Sequence, residues 1–147
     1  MSGIIGGVGS KSGVIGLDNH DAYKHSWKNY GSGTASISGT FDFSTVTIGS
    51  GITESAGVVT VSVAGTYLVS ATMSRGNSTT GISFDLYSSG SKVNGTNLYQ
   101  AAMSGHEYGQ SSGTWVKQVS ASATFYISGS GYTNGAMCFF SGIRIGA

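Results

Sequence analysis

From residue 31 onward, apolar and polar residues alternate along the chain with a period of two. In VVTVSV, Val59, Val61 and Val63 share one face while Thr60 and Ser62 share the other. TYLVSATM sets Tyr67, Val69, Ala71 and Met73 against Thr66, Leu68, Ser70 and Thr72. GISFDLYS sets Ile82, Phe84 and Leu86 against Ser83, Asp85 and Tyr87, and SATFYIS and AMCFFSGIRIG add two further segments. Successive side chains of a strand point to opposite faces, so each segment predicts a half-buried β-strand. Ala64-Gly65, SSGSKVNG and SGSGYTNG stand between the segments and predict turns. Short strands with glycine-rich connections, and no convincing helical pattern after residue 31, predict an all-β sandwich.

The first 30 residues follow other rules. Residues 1–16 form a glycine-rich leader whose apolar points are Ile4, Ile5, Val8, Val14 and Ile15. Its centre, GGVGSKSG, invites comparison with a phosphate-binding loop. Such a loop needs glycine directly before the lysine and another five residues earlier. Here Ser10 precedes Lys11, and Ile5 holds the earlier position. A dinucleotide fingerprint fails too, because Ser12 stands where the third glycine belongs. Glycine lets an extended chain press closely against a surface, so the leader is expected to be a docking arm anchored by those five residues. A disordered leader is the alternative. Residues 17–30 form a neck in which Tyr23, Trp27 and Tyr30 fall at helical spacing. One or two helical turns capped by Asp18 or Asn19, and a loop pinning aromatics onto the sandwich, fit equally well.

Composition sharpens this picture. The 147 residues include 25 glycines, no proline and only seven basic and six acidic side chains, for a net charge of +1. That balance creates no field to draw in nucleic acid or an anionic membrane. No apolar run is long enough to insert in a bilayer. A hydrophobic share of 39% with 11% aromatics supports a folded body rather than a disordered one. Small domains usually stay soluble through charge. This chain lacks it, and also lacks the prolines and charges that blunt sheet edges, so neighbouring subunits are expected to cover those edges. The start has no basic segment ahead of an apolar stretch, which predicts synthesis and assembly in a cytosol. Cys138, the only cysteine, lies in the apolar run AMCFF and is expected to be a small buried hydrophobe.

Candidate chemistry is sparse. His20 and His25 lie near Asp18 and Asp21, but their spacing matches no helical zinc pair and no cysteine–histidine pattern. His106-Glu107 sits in a loop-like stretch without a nucleophile at a recognisable elbow. The carboxylates are Asp18, Asp21, Asp42, Glu54, Asp85 and Glu107. Asp42 and Asp85 are read as strand residues that hydrogen-bond a neighbouring loop. No enzyme, cofactor or metal is expected. Arg144, between Ile143 and Ile145, suits either a carboxylate across a subunit boundary or plain exposure. Tyr99, Tyr108 and Tyr132 are read as loop residues able to stack on sugar rings, or else to pack between subunits.

The order FDFSTVTI, GVVTVSVAGTYLVSATM, GISFDLYSSGSKV and CFFSGIRIG resembles the globular head of complement-one-q proteins, members of the tumour-necrosis-factor-like jelly rolls. The likeness covers roughly residues 33–146. Its landmarks are Gly65-Thr66-Tyr67 at a strand start and Phe140-Ser141-Gly142-Ile143 in the last strand. Val63-Ala64 stands where that family commonly has a proline before the G-x-Y. The resemblance implies a jelly roll that closes as a homotrimer, with Tyr67, Phe84, Phe139, Phe140, Ile143 and Ile145 in the core or at the threefold contact. The leader, SGIIGGVGSKSGVIG, is similar to the opening of small virion proteins of tailed phages, marine ones especially. Together these imply a bacteriophage virion structural protein, assembled in the host cytoplasm: arm 1–16, neck 17–30 and jelly-roll head 31–147. Capsid decoration or a head fibre is the expected role. Other virion proteins are the expected partners of the arm, and host-surface glycans are possible partners of the head. A tail-fibre tip, a receptor-binding protein and a soluble lectin-like trimer are the alternatives.

Overall fold

A computed structural model describes residues 25–77, 79–102 and 109–147. The strands in chain order are β1 (Ser26–Tyr30), β2 (Thr34–Thr40), β3 (Thr45–Ile48), β4 (Ile52–Ser55), β5 (Val58–Val61) and β6 (Gly65–Arg75). They continue with β7 (Ile82–Ser88), β8 (Ser91–Lys92), β9 (Leu98–Gln100), β10 (Gly109–Val119), β11 (Ala123–Asn134) and β12 (Phe139–Gly146). One 3₁₀ turn, Gly135–Met137, is the only helical segment among the described residues.

Two layers face each other. The first runs β3-β1-β12-β6-β10, and the second runs β4-β5-β11-β7, with β2 also on β11 and β8 and β9 on β7. All pairs are antiparallel, and the layers meet in register only at Thr133 and Arg75. This is the all-β sandwich expected from the alternation, in the jelly-roll form that the resemblance implied. Tyr67, Val69, Ala71 and Met73 of β6 are buried, as are Val59 and Val61 of β5 and Ile82, Phe84 and Leu86 of β7. Rings cross between the layers: Trp27 of β1 stacks on Phe125 of β11 at 5.5 Å, and Tyr67 meets Phe125 at 5.8 Å. Aromatic pairs at such separations add to the apolar burial that holds the layers together.

Three local expectations change. Ser26–Tyr30 is a strand between β3 and β12, so the helical turns are not formed there and the sandwich starts before residue 31. Sheet pairing on both edges, with Trp27 and Asn29 turned inward, overrides the helical spacing of its aromatics. SGSGYTNG is not a turn; apart from Gly135 it lies inside β11. A Cβ on Gly129 would strike the Ser83 carbonyl and Phe84 Cα of β7, so this glycine marks close strand approach. Asp42 lies in the connection between β2 and β3 rather than within a strand. The SSGSKVNG turn does form: Ser89 (φ 49°) and Gly90 (φ 80°) are both left-handed in the two-residue β7–β8 hairpin.

Candidate functional site

The inward faces of the two layers build the core, and among the described residues no strand layer covers the outward face of the β1-β12-β6-β10 layer. Antiparallel register sets its side chains in cross-strand rows. One row runs Ser26, Ile143, Leu68 and Val116, and the next runs Lys28, Ser141, Ser70 and Thr114. A third runs Tyr30, Phe139, Thr72 and Ser112. The first row is apolar over three strands. In the other two, hydroxyls answer one another across β6 and β10: Ser70 with Thr114 at 2.9 Å, and Thr72 with Ser112 at 2.6 Å. Each such pair satisfies polar groups within the sheet, which lowers the cost of removing the face from water.

Charge is nearly absent from these rows. Lys28 is their only charged residue, and its ammonium sits over the Tyr30 ring, 5.2 Å from the centroid. A groove of about 610 Å³ opens on the same layer, lined by Ser26, Lys28, Thr47, Ile48, Leu68, Ser70, Ser141 and Ile143 over Trp27 and Gly142. Among the described residues, Tyr30, Ile48, Val116 and Ile145 of these strands are large hydrophobics left exposed, Val116 by 63%. An apolar stripe bordered by self-satisfied hydroxyls is the chemistry of an interface, not of a solvated surface.

The sequence-derived residues divide. Tyr67, Phe84 and Phe140 are buried within the subunit's own sandwich. Phe139 and Ile143 are half-buried on the uncovered face, and Ile145 is exposed where β12 bulges between Arg144 and Gly146. The Tyr67 hydroxyl donates to the Val63 carbonyl at 2.8 Å. Burial raises its pKa, and the Arg144 guanidinium opposes that rise. Arg144 donates from Nε to the Ala64 carbonyl at 3.0 Å. It therefore clasps the turn before β6, within its own chain.

Tyr99 and Tyr132 are strand residues, in β9 and β11. Tyr99 is exposed beside Ser83, whose hydroxyl accepts from the Asn97 amide at 3.0 Å. Tyr132 is half-buried against Gly76, in a strand held by β2 on one edge, so it offers less ring face than a loop would. Ile4, Ile5, Val8, Val14, Ile15 and Tyr108 lie outside the described residues, as do His20, His106 and Glu107.

Among the described residues, no three His, Cys, Asp or Glu side chains come together. His25 Nδ1 donates to the Ser50 carbonyl at 2.8 Å. Asp85 pairs with Lys92 at 2.8 Å, and Glu54 accepts the Gly57 amide at 2.7 Å. Cys138 is buried, receives the Ser74 amide at 3.2 Å, and has its thiol pushed up to about 11 by burial. Leu68, Val116 and the four paired hydroxyls were not singled out from the sequence. The signal was there: Leu68 is a large apolar residue on the otherwise hydroxyl face of TYLVSATM.

No family model matches the chain, and no curated protein matches it in sequence. Solved structures do match in fold. The Eiger TNF of S. frugiperda superposes with a TM-score of 0.65 at 14% identity, covering 82% of this chain and 91% of that one. The globular domain of zebrafish complement 1qA gives 0.65 at 16% identity, covering 83% and 97%. The chain thus has the fold of complement-one-q and tumour-necrosis-factor domains.

Proposed function

We propose that the chain is a non-enzymatic binding head that works as a homotrimer, with the β1-β12-β6-β10 face closed by two further copies. The observation that carries this reading is the apolar row Ile143–Leu68–Val116 beside cross-strand hydroxyl pairs. A monomer would leave that row in water, with Lys28 the only charged residue in the three rows. Closing it removes the row from solvent and shields the β10 edge. The trimeric habit implied by the resemblance supports three copies.

The leader gives the finer reading. Ile4, Ile5, Val8, Val14 and Ile15 on a glycine-rich chain suit attachment of the trimer to a larger particle, as a capsid decoration or head-fibre protein of a phage. Three arms on one head multiply a weak contact through effective concentration. At the head, exposed Tyr99 beside Ser83 and Asn97 favours contact with a host-surface glycan.

Sedimentation velocity tests assembly. The expected species has three times the subunit mass of 14.9 kDa. Leu68→Glu with Val116→Glu should give a folded monomer, whereas a wild-type monomer at micromolar concentration would refute the trimer. Deleting residues 2–16 tests attachment: the head should still assemble but fail to enter particles. Normal incorporation of that variant would refute the arm.

A further inference from the structure

A second cavity, about 300 Å³ in volume, opens at the end of the sandwich beside the β10–β11 turn. Ser88 lines it from β7 and Lys117 from β10. Ser88 stands opposite buried Phe125, and Lys117 opposite buried Tyr67, so both project into the mouth between the layers. Ser89, Gln118, Ser120 and Ser122 form the rim.

Three observations give this mouth a chemistry. Its polar side chains are hydroxyls, one amide and one ammonium, and no carboxylate lines it. Ser88 is only 8% exposed, yet among the described residues its hydroxyl makes no hydrogen bond. Lys117 likewise has no ion-pair partner among the described residues. Arg144 adds positive potential, because Lys117, Tyr67 and Arg144 occupy one cross-strand row of β10, β6 and β12. Asp85 and Glu54 are engaged elsewhere.

We infer that this mouth binds a small ligand through an oxyanion group, held by Lys117 Nζ and the Ser88 hydroxyl, with the rim serines bonding its other oxygens. The ammonium of a half-buried lysine and an unused hydroxyl gain charge-assisted bonds from such a group, shorter and stronger than neutral ones. At about 30 Å³ per water, the space holds roughly ten waters, enough for a sugar acid as well as a free ion. The site is built within one subunit and does not depend on the proposed trimer.

Titration of the full chain with glucuronate, inorganic phosphate and neutral glucose, followed by amide chemical shifts, tests the inference. Saturable shifts are expected at Ser88, Ser89 and residues 117–123 with an anion, and binding of glucose should be at least about tenfold weaker. Glucuronate binding more tightly than phosphate assigns a sugar acid, and the reverse order assigns the free ion; either supports the site. Lys117→Gln should weaken the anion about tenfold or more, and Ser88→Ala by less, with shifts elsewhere unchanged. Anion affinity unaltered in both variants, or shifts spread evenly over all lysines, would overturn it.

Discussion

Trp27 lies across Gly142, the residue directly opposite it in the register of β1 and β12. A Cβ at position 142 would run into the six-membered edge of the indole. That indole cannot retreat, because it packs on Phe125 and Phe140, each at 5.5 Å, and on Tyr67 at 6.1 Å. The glycine of the F-S-G ending is therefore the floor on which the largest ring of the core rests.

Gly142→Ala should accordingly destabilise the head by about 1–3 kcal/mol through overpacking. Trp27→Ala should cost about 3–5 kcal/mol through the cavity it leaves. In the double variant the clash is gone, so the two losses should not add. Denaturant unfolding of the four proteins measures all three quantities.

The hydroxyl pairs of the uncovered face make a second prediction. Thr72→Val alone strands Ser112, and Ser112→Ala alone strands Thr72, each expected to weaken the proposed trimer by about 1 kcal/mol per subunit. Replacing both should restore most of the loss, since no hydroxyl is then left without its partner. The sedimentation equilibrium of each variant reads the effect.

Asp85 is almost buried, and Lys92 Nζ sits 2.8 Å from its Oδ2, while Oδ1 has no hydrogen-bond partner among the described residues. Lys92→Met removes the countercharge and should lower the melting temperature of the head, by less than for a fully enclosed pair because Lys92 is half exposed. Asp85→Leu combined with Lys92→Met should be less destabilised than Lys92→Met alone. Thermal melts at neutral pH make the comparison.

Alkaline pH should loosen the fold. The Cys138 thiol ordinarily titrates near 9.0 and is raised to about 11 by burial, and Tyr67 is raised from 10.0 by the same cause. Between those values the unfolded chain releases protons that the folded chain retains. Stability is thus intact below about pH 9 and falls as the pH rises from 9 toward 11. Cys138→Ala should flatten that fall over the lower part of the range, as pH-dependent urea unfolding would show.

The residues that misled are as informative as those that did not. Alternation in β5, β6 and β7 identified the buried side chains because a strand's two faces are set by local geometry alone. Gly129 and Gly131 looked like turn residues because glycine serves both turns and crowded strand contacts, and only the position of β7 separates the two. Trp27 and Tyr30 carried helical spacing, yet β3 and β12 claim that segment from 15 or more residues away. Leu68 and Val116 belong to different segments and become neighbours only when β6 and β10 pair.

The order of residues alone fixed which apolar side chains of β5, β6 and β7 would be hidden, that the body would be a two-layered β structure, and that its charge would be sparse. Those properties depend on pleat, period and composition, which act over a few residues. Which outward face would be left bare, and that Lys117 and Ser88 would share one mouth, were decided by the packing of strands far apart in the chain. Register between distant strands is a property of the whole sandwich, and no local pattern encodes it.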